Sequence, residues 1–500
     1  MNSVGAIALA VLLVAAATFA LYGLVKSSGR ATDLEDYMVS RNQVKGPAAI
    51  ATVTASALGA WILFSPPEAG SAFGGITAIL GYCLGSALAV VTFVFVGPRL
   101  RRIMPWGHSL NEYVRHRFSA QSNGSTGRLM YLLTVGVMLL YMFVYLAAEL
   151  TAIAEALQLV ADVPLLVTSI VVMTAVFLYT TYGGLKVTIV TDIFQFALIV
   201  PLLLICFVVA IAQLGGPQAA FAPVINDLPE LVSLGNIAGL RFGATLLIAV
   251  IAAELFNQSN WQRVYACRDS YTVRQSFLGS ALIILPLIFL SGLLGLVAAG
   301  YDLVGATAFF DLLQSINLAS WLLGAVILLA VALVMSSLDS LLNGISAVFA
   351  GDLLRVNNNP DKVLLISRGL TVAVGIPAVA IASQGYSVLY LFFVADLICA
   401  ALLFPLILSF YNRHQTATNA LTSSLIGIVV GVLFFPKPDF SPLTPIPGGG
   451  DLLNSFAAAL LSSAILTLLW TNHSKRSGKT TFRYSSLQAV KPYTHKNKRF

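Results

Sequence analysis

Runs of mostly apolar residues, each near the length a helix needs to cross a bilayer, follow one another along almost the whole chain. A hydrocarbon core about 30 Å thick is crossed by about 20 helical residues at about 1.5 Å rise each. Thirteen such runs are readable, near 4–25, 47–71, 75–97, 127–158, 162–181, 187–213, 237–261, 275–299, 317–349, 363–383, 386–411, 418–435 and 452–471. They are numbered here as spans one to thirteen. No water-soluble core could hide them all. Of the 500 residues, 58% are hydrophobic and only 10% charged, against roughly 25% charged in soluble domains. Mean hydropathy is +0.87. The expected class is an all-α, polytopic membrane protein of about thirteen helices. The fourth and ninth runs exceed one crossing, so tilt or projection beyond the bilayer is expected there.

Loop charge tests the count. The first run carries no positive residue before it, and Lys26 and Arg30 follow it. It therefore reads as a retained span with an outside N-terminus rather than a signal peptide. Alternating from there, all but two of the 28 basic residues, Arg241 and Lys437, fall on the cytoplasmic side. One span more or fewer would scramble that asymmetry. The net charge of +7 thus reads as anchoring beside anionic lipid, not as nucleic-acid binding. The basic tail from Asn472 is expected to be cytoplasmic and disordered.

Much enzyme chemistry is missing from the pattern. No HExxH, GxSxG or Walker sequence occurs, and Cys83, Cys206, Cys267 and Cys399 show no CxxC spacing. GGG at 448–450 follows no strand and precedes no Lys-Ser/Thr, so it reads as a flexible turn. No enzyme and no cofactor is expected.

Four stretches inside the spans carry polar chemistry. Span two runs ATVTASALGAWILFSPPEAG over 51–70, with small residues, Gly59, Pro66, Pro67 and Glu68 together. That is how a discontinuous helix reads: unwound backbone can offer carbonyls to a cation where it lines a cavity. Small residues equally allow close helix packing. Span seven has a comparable interruption at Glu254-Leu-Phe-Asn257-Gln258, five spans later. Paired interruptions in matching positions point to an inverted-repeat transporter. Arg263, at the end of that stretch, reads as the ordinary cytoplasmic end of a helix. Span nine places Leu333, Ser336 and Ser337 at i, i+3 and i+4, on one helix face. These can supply neutral oxygens to a cation, or simply bond their own turn. Finally, YTTYGGLKVTIVTDIFQ over 179–195 reads as a glycine turn followed by a helix carrying Thr191, Asp192 and Gln195. An intramembrane aspartate is costly and marks function by default.

TYGGLKVTIVTDIFQ, MSSLDS, the interrupted second span and NQSNWQR resemble the sodium:solute symporter family, over about 26–470. The resemblance implies a fold like that of the bacterial leucine transporter. Two inverted five-helix repeats would occupy 47–411, with a leading helix over 1–25, trailing helices over 418–471 and the tail over 472–500. It implies a sodium site made of the Ala55, Leu58 and Leu333 carbonyls with the Ser336 and Ser337 hydroxyls. Asp192 would stand beside the inward sodium path, with Asp339 as a lesser acidic position. Trp61 and Tyr145 match aromatics of the family's solute cavity, and Glu254 and Gln258 on span seven complete the expected solute contacts.

Two positions depart from the sodium/proline members. Ala57 stands where some carry an aspartate, and Leu255 stands where they carry an aromatic. Glu68, Glu149, Glu254 and Asp396 have no evident intramembrane cation, which argues against a strongly anionic solute. A half-helix N-terminus could still hold a carboxylate. The expected activity is Na⁺-coupled symport of a small organic solute (amino acid, urea-like amide, sugar or vitamin) across a cell membrane. A proton-coupled symporter using Glu149 or Glu254, a transporter-like sensor and a channel are the alternatives.

Overall fold

The structure is a computed structural model that describes residues 3–26, 34–119, 125–316, 320–354, 359–477 and 481–490. The basic residues Arg30, Arg355, Lys479, Lys491, Lys496, Lys498 and Arg499 lie outside the described residues. Helices account for nearly everything described, with only isolated bridges such as Val44 to Cys267. Among the described residues, eleven helices are long and apolar enough to cross a membrane. Span two is a bent pair, Gly46–Ala57 and Ala60–Ala72, with 62° between the halves. Span five is a shorter apolar helix, Leu165–Thr181. Together these correspond one for one to the thirteen apolar runs.

The long runs are long helices, Ser125–Ala161 for span four and Trp321–Leu353 for span nine. Spans five and six meet at Gly184, whose φ of 59° and ψ of −154° interrupt the helix. A side chain there would strike the ring and backbone of Tyr37, so glycine is needed for both the turn and the close approach. Span seven stops at Phe256 and restarts as Gln258–Ala266. Span eight, Ser270–Ala299, packs along both halves of span two, and span nine packs against spans four, six and ten. The interrupted helices are thereby enclosed by continuous ones, the setting in which non-helical backbone is tolerated at membrane depth.

The tail differs from expectation. Within it, residues 481–490 dock on the bundle instead of remaining disordered. The Phe482 amide donates to the Arg413 carbonyl at 2.9 Å, Tyr484 Oη donates to the Ser409 carbonyl at 2.7 Å, and Leu487 is buried. Arg117 and Arg99 lie over the Phe482 and Tyr484 rings, at 4.4 and 5.1 Å from their centroids. Three apolar pegs on a basic segment suffice because cation–π contacts accompany their burial.

Candidate functional site

Span two unwinds at Leu58 and Gly59, where the chain passes close to Glu149 and two prolines follow. A Cβ at Gly59 would collide with the Glu149 carboxylate, and Pro66 and Pro67 pin the start of the second half at Ser65–Ala72. Leu58 and Gly59 are extended, with φ,ψ of −99°,119° and −120°,−177°. The Ala55 carbonyl thereby loses its intrahelical partner. Span nine faces it. Ser336 Oγ lies 3.0 Å from the Ala55 carbonyl oxygen, 3.5 Å from that of Leu58 and 2.9 Å from that of Leu333. Ser337 Oγ lies 3.2 Å from the same Leu333 oxygen. The five oxygens expected from the sequence therefore form one buried cluster. A sixth group joins it. Glu149, fully buried on span four, accepts from Ser337 Oγ at 2.9 Å and from the Ala60 amide at 2.7 Å.

Beneath this cluster Asp192 sits in a setting the sequence did not suggest. Arg263 does lie in the last turn of its helix, Gln258–Ala266, but it is not an exposed anchor there. It is 1% exposed and its guanidinium is 2.7 Å from Asp192 Oδ2, with Thr52 also donating to that carboxylate. Arg263 Nε donates to the Thr52 carbonyl at 3.1 Å and Nη2 to Ser340 Oγ at 2.8 Å. Arg263 thus ties the second half of span seven to spans two, six and nine. Asp192 is a buried anion with two partners on Oδ2, while its Oδ1 has none among the described residues. Asp339 accepts from Tyr179 at 3.0 Å and Thr191 at 3.1 Å in the same buried layer.

A separate cavity lies between spans two, three, four, seven and eleven. Trp61, Tyr82, Tyr141, Tyr145 and Phe392 form its aromatic walls, and Glu254 and Asp396 are its carboxylates. The side chains nearly close it, leaving a cavity volume of about 40 Å³. Trp61 Nε1 donates to Tyr145 Oη at 3.1 Å, and Trp61 stacks on Tyr82 with centroids 5.5 Å apart. Glu254 accepts from Tyr141 Oη, Asn257 Nδ2 and Asn260 Nδ2 at 3.0, 3.2 and 2.6 Å.

Gln258 does not line this cavity. The break at Asn257 turns its buried side chain toward the loop after span three, where its amide donates to the His108 carbonyl at 2.8 Å. His108 itself is clamped between Glu35 and Glu112, with ring nitrogens 2.5 and 3.1 Å from their carboxylates. Burial alone would lower its pKa, but the two carboxylates outweigh that and push it up to about 9. Burial likewise pushes the Glu35 and Glu112 carboxyls upward, yet His108, and Arg41 at Glu35, hold both below the usual range.

Comparison with known proteins follows the same frame. The family model of the sodium:solute symporters matches residues 37–427, most of the chain and both interrupted spans. The chain belongs to the sodium:solute symporter family. Its members are solute transporters, so this is a multi-pass membrane transport protein. Among curated relatives of this symporter, the spermidine transporter DUR31 of Candida albicans is 27% identical, covering 74% of this chain and 68% of its own length. The sodium/glucose cotransporter of Vibrio parahaemolyticus is 24% identical, covering 73% and 74%. Among solved structures, a Na⁺-coupled sialic acid symporter in a substrate-bound outward-open state aligns with a TM-score of 0.75 at 18% identity, covering 93% of this chain and 98% of that one. Mhp1, a nucleobase-cation-symport transporter, aligns at 0.55 and 14% identity, covering 90% and 97%. These likenesses show the fold: that of the bacterial leucine transporter type.

Sequence reasoning missed part of the symporter's cavity wall. Tyr141 stands one turn before the expected Tyr145 on span four, and Phe392 one turn before Asp396 on span eleven. That spacing was available as a signal. Tyr82 carries no local signal, since only the packing of span three brings it to Trp61.

Proposed function

We propose that the chain is a sodium-coupled symporter that carries a small organic solute into the cell, with its N-terminus outside, its C-terminus cytoplasmic and no cofactor besides the ion. The observation that carries this reading is the convergence of three backbone carbonyls and two hydroxyls at the unwound point of span two. A dehydrated hard cation takes oxygen ligands, and serine hydroxyls can rotate from donating to a carbonyl to ligating an ion. Asp192 and Arg263 hold the surrounding halves together and do not ligate. Sodium binding across spans two and nine would favour the state in which the neighbouring cavity accepts solute. Symport then follows from the unequal affinity of each ligand for the two states.

Proton coupling is the second reading, and Glu149 favours it. Its carboxylate lies 2.9 Å from Ser337 Oγ, so a proton there could stand in for the ion. A relative from rice, 23% identical over 72% of this chain and 54% of its own length, is named a urea-proton symporter. The named solutes of the relatives include a polyamine, a sugar and urea.

Uptake into proteoliposomes tests both. An inward sodium gradient is expected to drive accumulation of one solute from a labelled panel, and Ser337→Ala to abolish it. Uptake driven by a proton gradient without sodium, and lost in Glu149→Gln, would replace sodium by the proton. Solute binding with no gradient-driven uptake at all would sink symport.

A further inference from the structure

The cavity beside the cation cluster has carboxylates in its wall and no cationic side chain. We propose that its solute is an organic cation, an amine or polyamine with no carboxylate of its own, held by Asp396 and Glu254 within the aromatic box. This rests on the transport reading above and specifies what is carried.

Charge is the first argument. Glu68, Glu149, Glu254 and Asp396 take part in no ion pair among the described residues, no cationic side chain lines the cavity, and Arg263, buried at the end of span seven, is engaged by Asp192. Of the four, Glu254 and Asp396 line the cavity. Asp396 is 4% exposed, and its Oδ1 has no hydrogen-bond partner among the described residues. A buried carboxylate without a partner is costly, and in proteins such groups are paired or bind something. Glu254 is held by one phenol and two amides. These three neutral donors orient a carboxylate without neutralising it.

The rings are the second argument. Trp61 stacks on Tyr82, and Phe392 meets Tyr145 edge-on with centroids 5.1 Å apart. Such walls offer electron-rich faces that attract ammonium groups, most strongly when water is excluded.

The third argument removes the competitors. A solute carboxylate needs donors, and of those near the cavity only the Tyr82 and Tyr145 hydroxyls, both neutral, are left. The Trp61 indole donates to Tyr145, the Tyr141 phenol to Glu254 and the Ala60 amide to Glu149. The half-helix starting at Ser65 has Pro66 and Pro67 in its first turn, which carry no N–H. The half-helix starting at Gln258 is capped by Asn257, whose side chain accepts the Ser259 amide at 3.1 Å. An amino acid would find two carboxylates for its ammonium and no cationic or amide donor, only two phenol hydroxyls, for its carboxylate.

The test is binding of labelled spermidine and 1,4-diaminobutane to the purified full chain, with and without Na⁺, in competition with tetramethylammonium, glucose, urea and proline. The expected result is that amines bind, tetramethylammonium competes, and the neutral and zwitterionic probes do not. Asp396→Asn and Glu254→Gln are expected to weaken amine binding at least tenfold, and Glu68→Gln less than twofold. A thermal shift induced by Na⁺ in each variant shows that the fold and the ion cluster survive. Absence of amine binding to the wild type overturns the proposal. So does displacement of the amine by glucose or proline, or amine affinity unchanged in both carboxylate variants whose Na⁺ shift is intact. Amine binding with no gradient-driven uptake would sink symport and leave this inference standing. Sodium-driven uptake of glucose or urea without amine binding would do the reverse.

Discussion

Spans two and seven break at matching places, and the two breaks are finished differently. At span seven the freed groups are sealed locally. Asn260 Nδ2 donates to the Glu254 carbonyl at 3.2 Å, Trp261 Nε1 donates to the Leu255 carbonyl at 2.7 Å, and the Asn257 side chain caps the next half-helix. At span two the Ala55 and Leu58 carbonyls meet only the hydroxyl of Ser336, from another helix. A hydroxyl can turn and offer a lone pair to an ion, whereas the Trp261 indole is a donor only and the Asn260 amide nitrogen is held by both the carbonyl and the carboxylate of Glu254. The carbonyls at span two are thus left to an exchangeable partner and those at span seven are not, which is why the proposed cation site is assigned to one break and not to both.

The largest test of this contrast removes what joins the two breaks. Arg263→Ala leaves Asp192 buried and unpaired, and a loss of about 3–5 kcal/mol is expected, read as a collapse of yield and melting temperature in detergent. The double variant Asp192→Asn with Arg263→Gln should recover part of it. Next, Ser336→Ala should weaken sodium binding about tenfold, within the roughly 1–3 kcal/mol of a lost buried polar partner. Asn260→Ala at the other break should leave sodium affinity unchanged and lower solute affinity through Glu254. Equal sodium effects at both breaks would dissolve the comparison. Gly59→Ala should cost about 1–3 kcal/mol by overpacking, and Glu149→Ala in the same chain should relieve it, as melting curves would show.

The smallest effect lies outside the spans. The His108 pKa is raised to about 9 from its ordinary 6.5. Its contribution is therefore complete below pH about 6.5 and is lost as pH rises through about 9. The lowered carboxyls of Glu35 and Glu112 work the other way. Their contribution is present above about pH 4.5, their ordinary value, and falls away in acid. The melting temperature of His108→Asn should thus fall below that of wild type at pH 6, and the gap should close by pH 10. A gap independent of pH would mean that Gln258, which donates to the His108 carbonyl, holds this loop regardless of charge.

Much of the molecule was legible in the residues themselves. Apolar runs of bilayer length determined that the chain is a bundle of membrane-crossing helices, because a segment of about 20 apolar residues in hydrocarbon satisfies its backbone within itself only as a helix. The small residues and prolines of span two announced its break, and the i, i+3, i+4 spacing of Leu333, Ser336 and Ser337 announced one polar face. These are local properties, and local sequence carries them. Partnership across helices is different. Arg263 looks from its neighbours like a cytoplasmic anchor, and Gln258 looks like a cavity residue. Only packing turns the first onto Asp192, which lies 71 residues away in sequence, and the second onto the loop after span three. Polar groups in a low-dielectric interior must be satisfied by whatever the fold brings within about 3 Å, and that choice belongs to the tertiary structure alone.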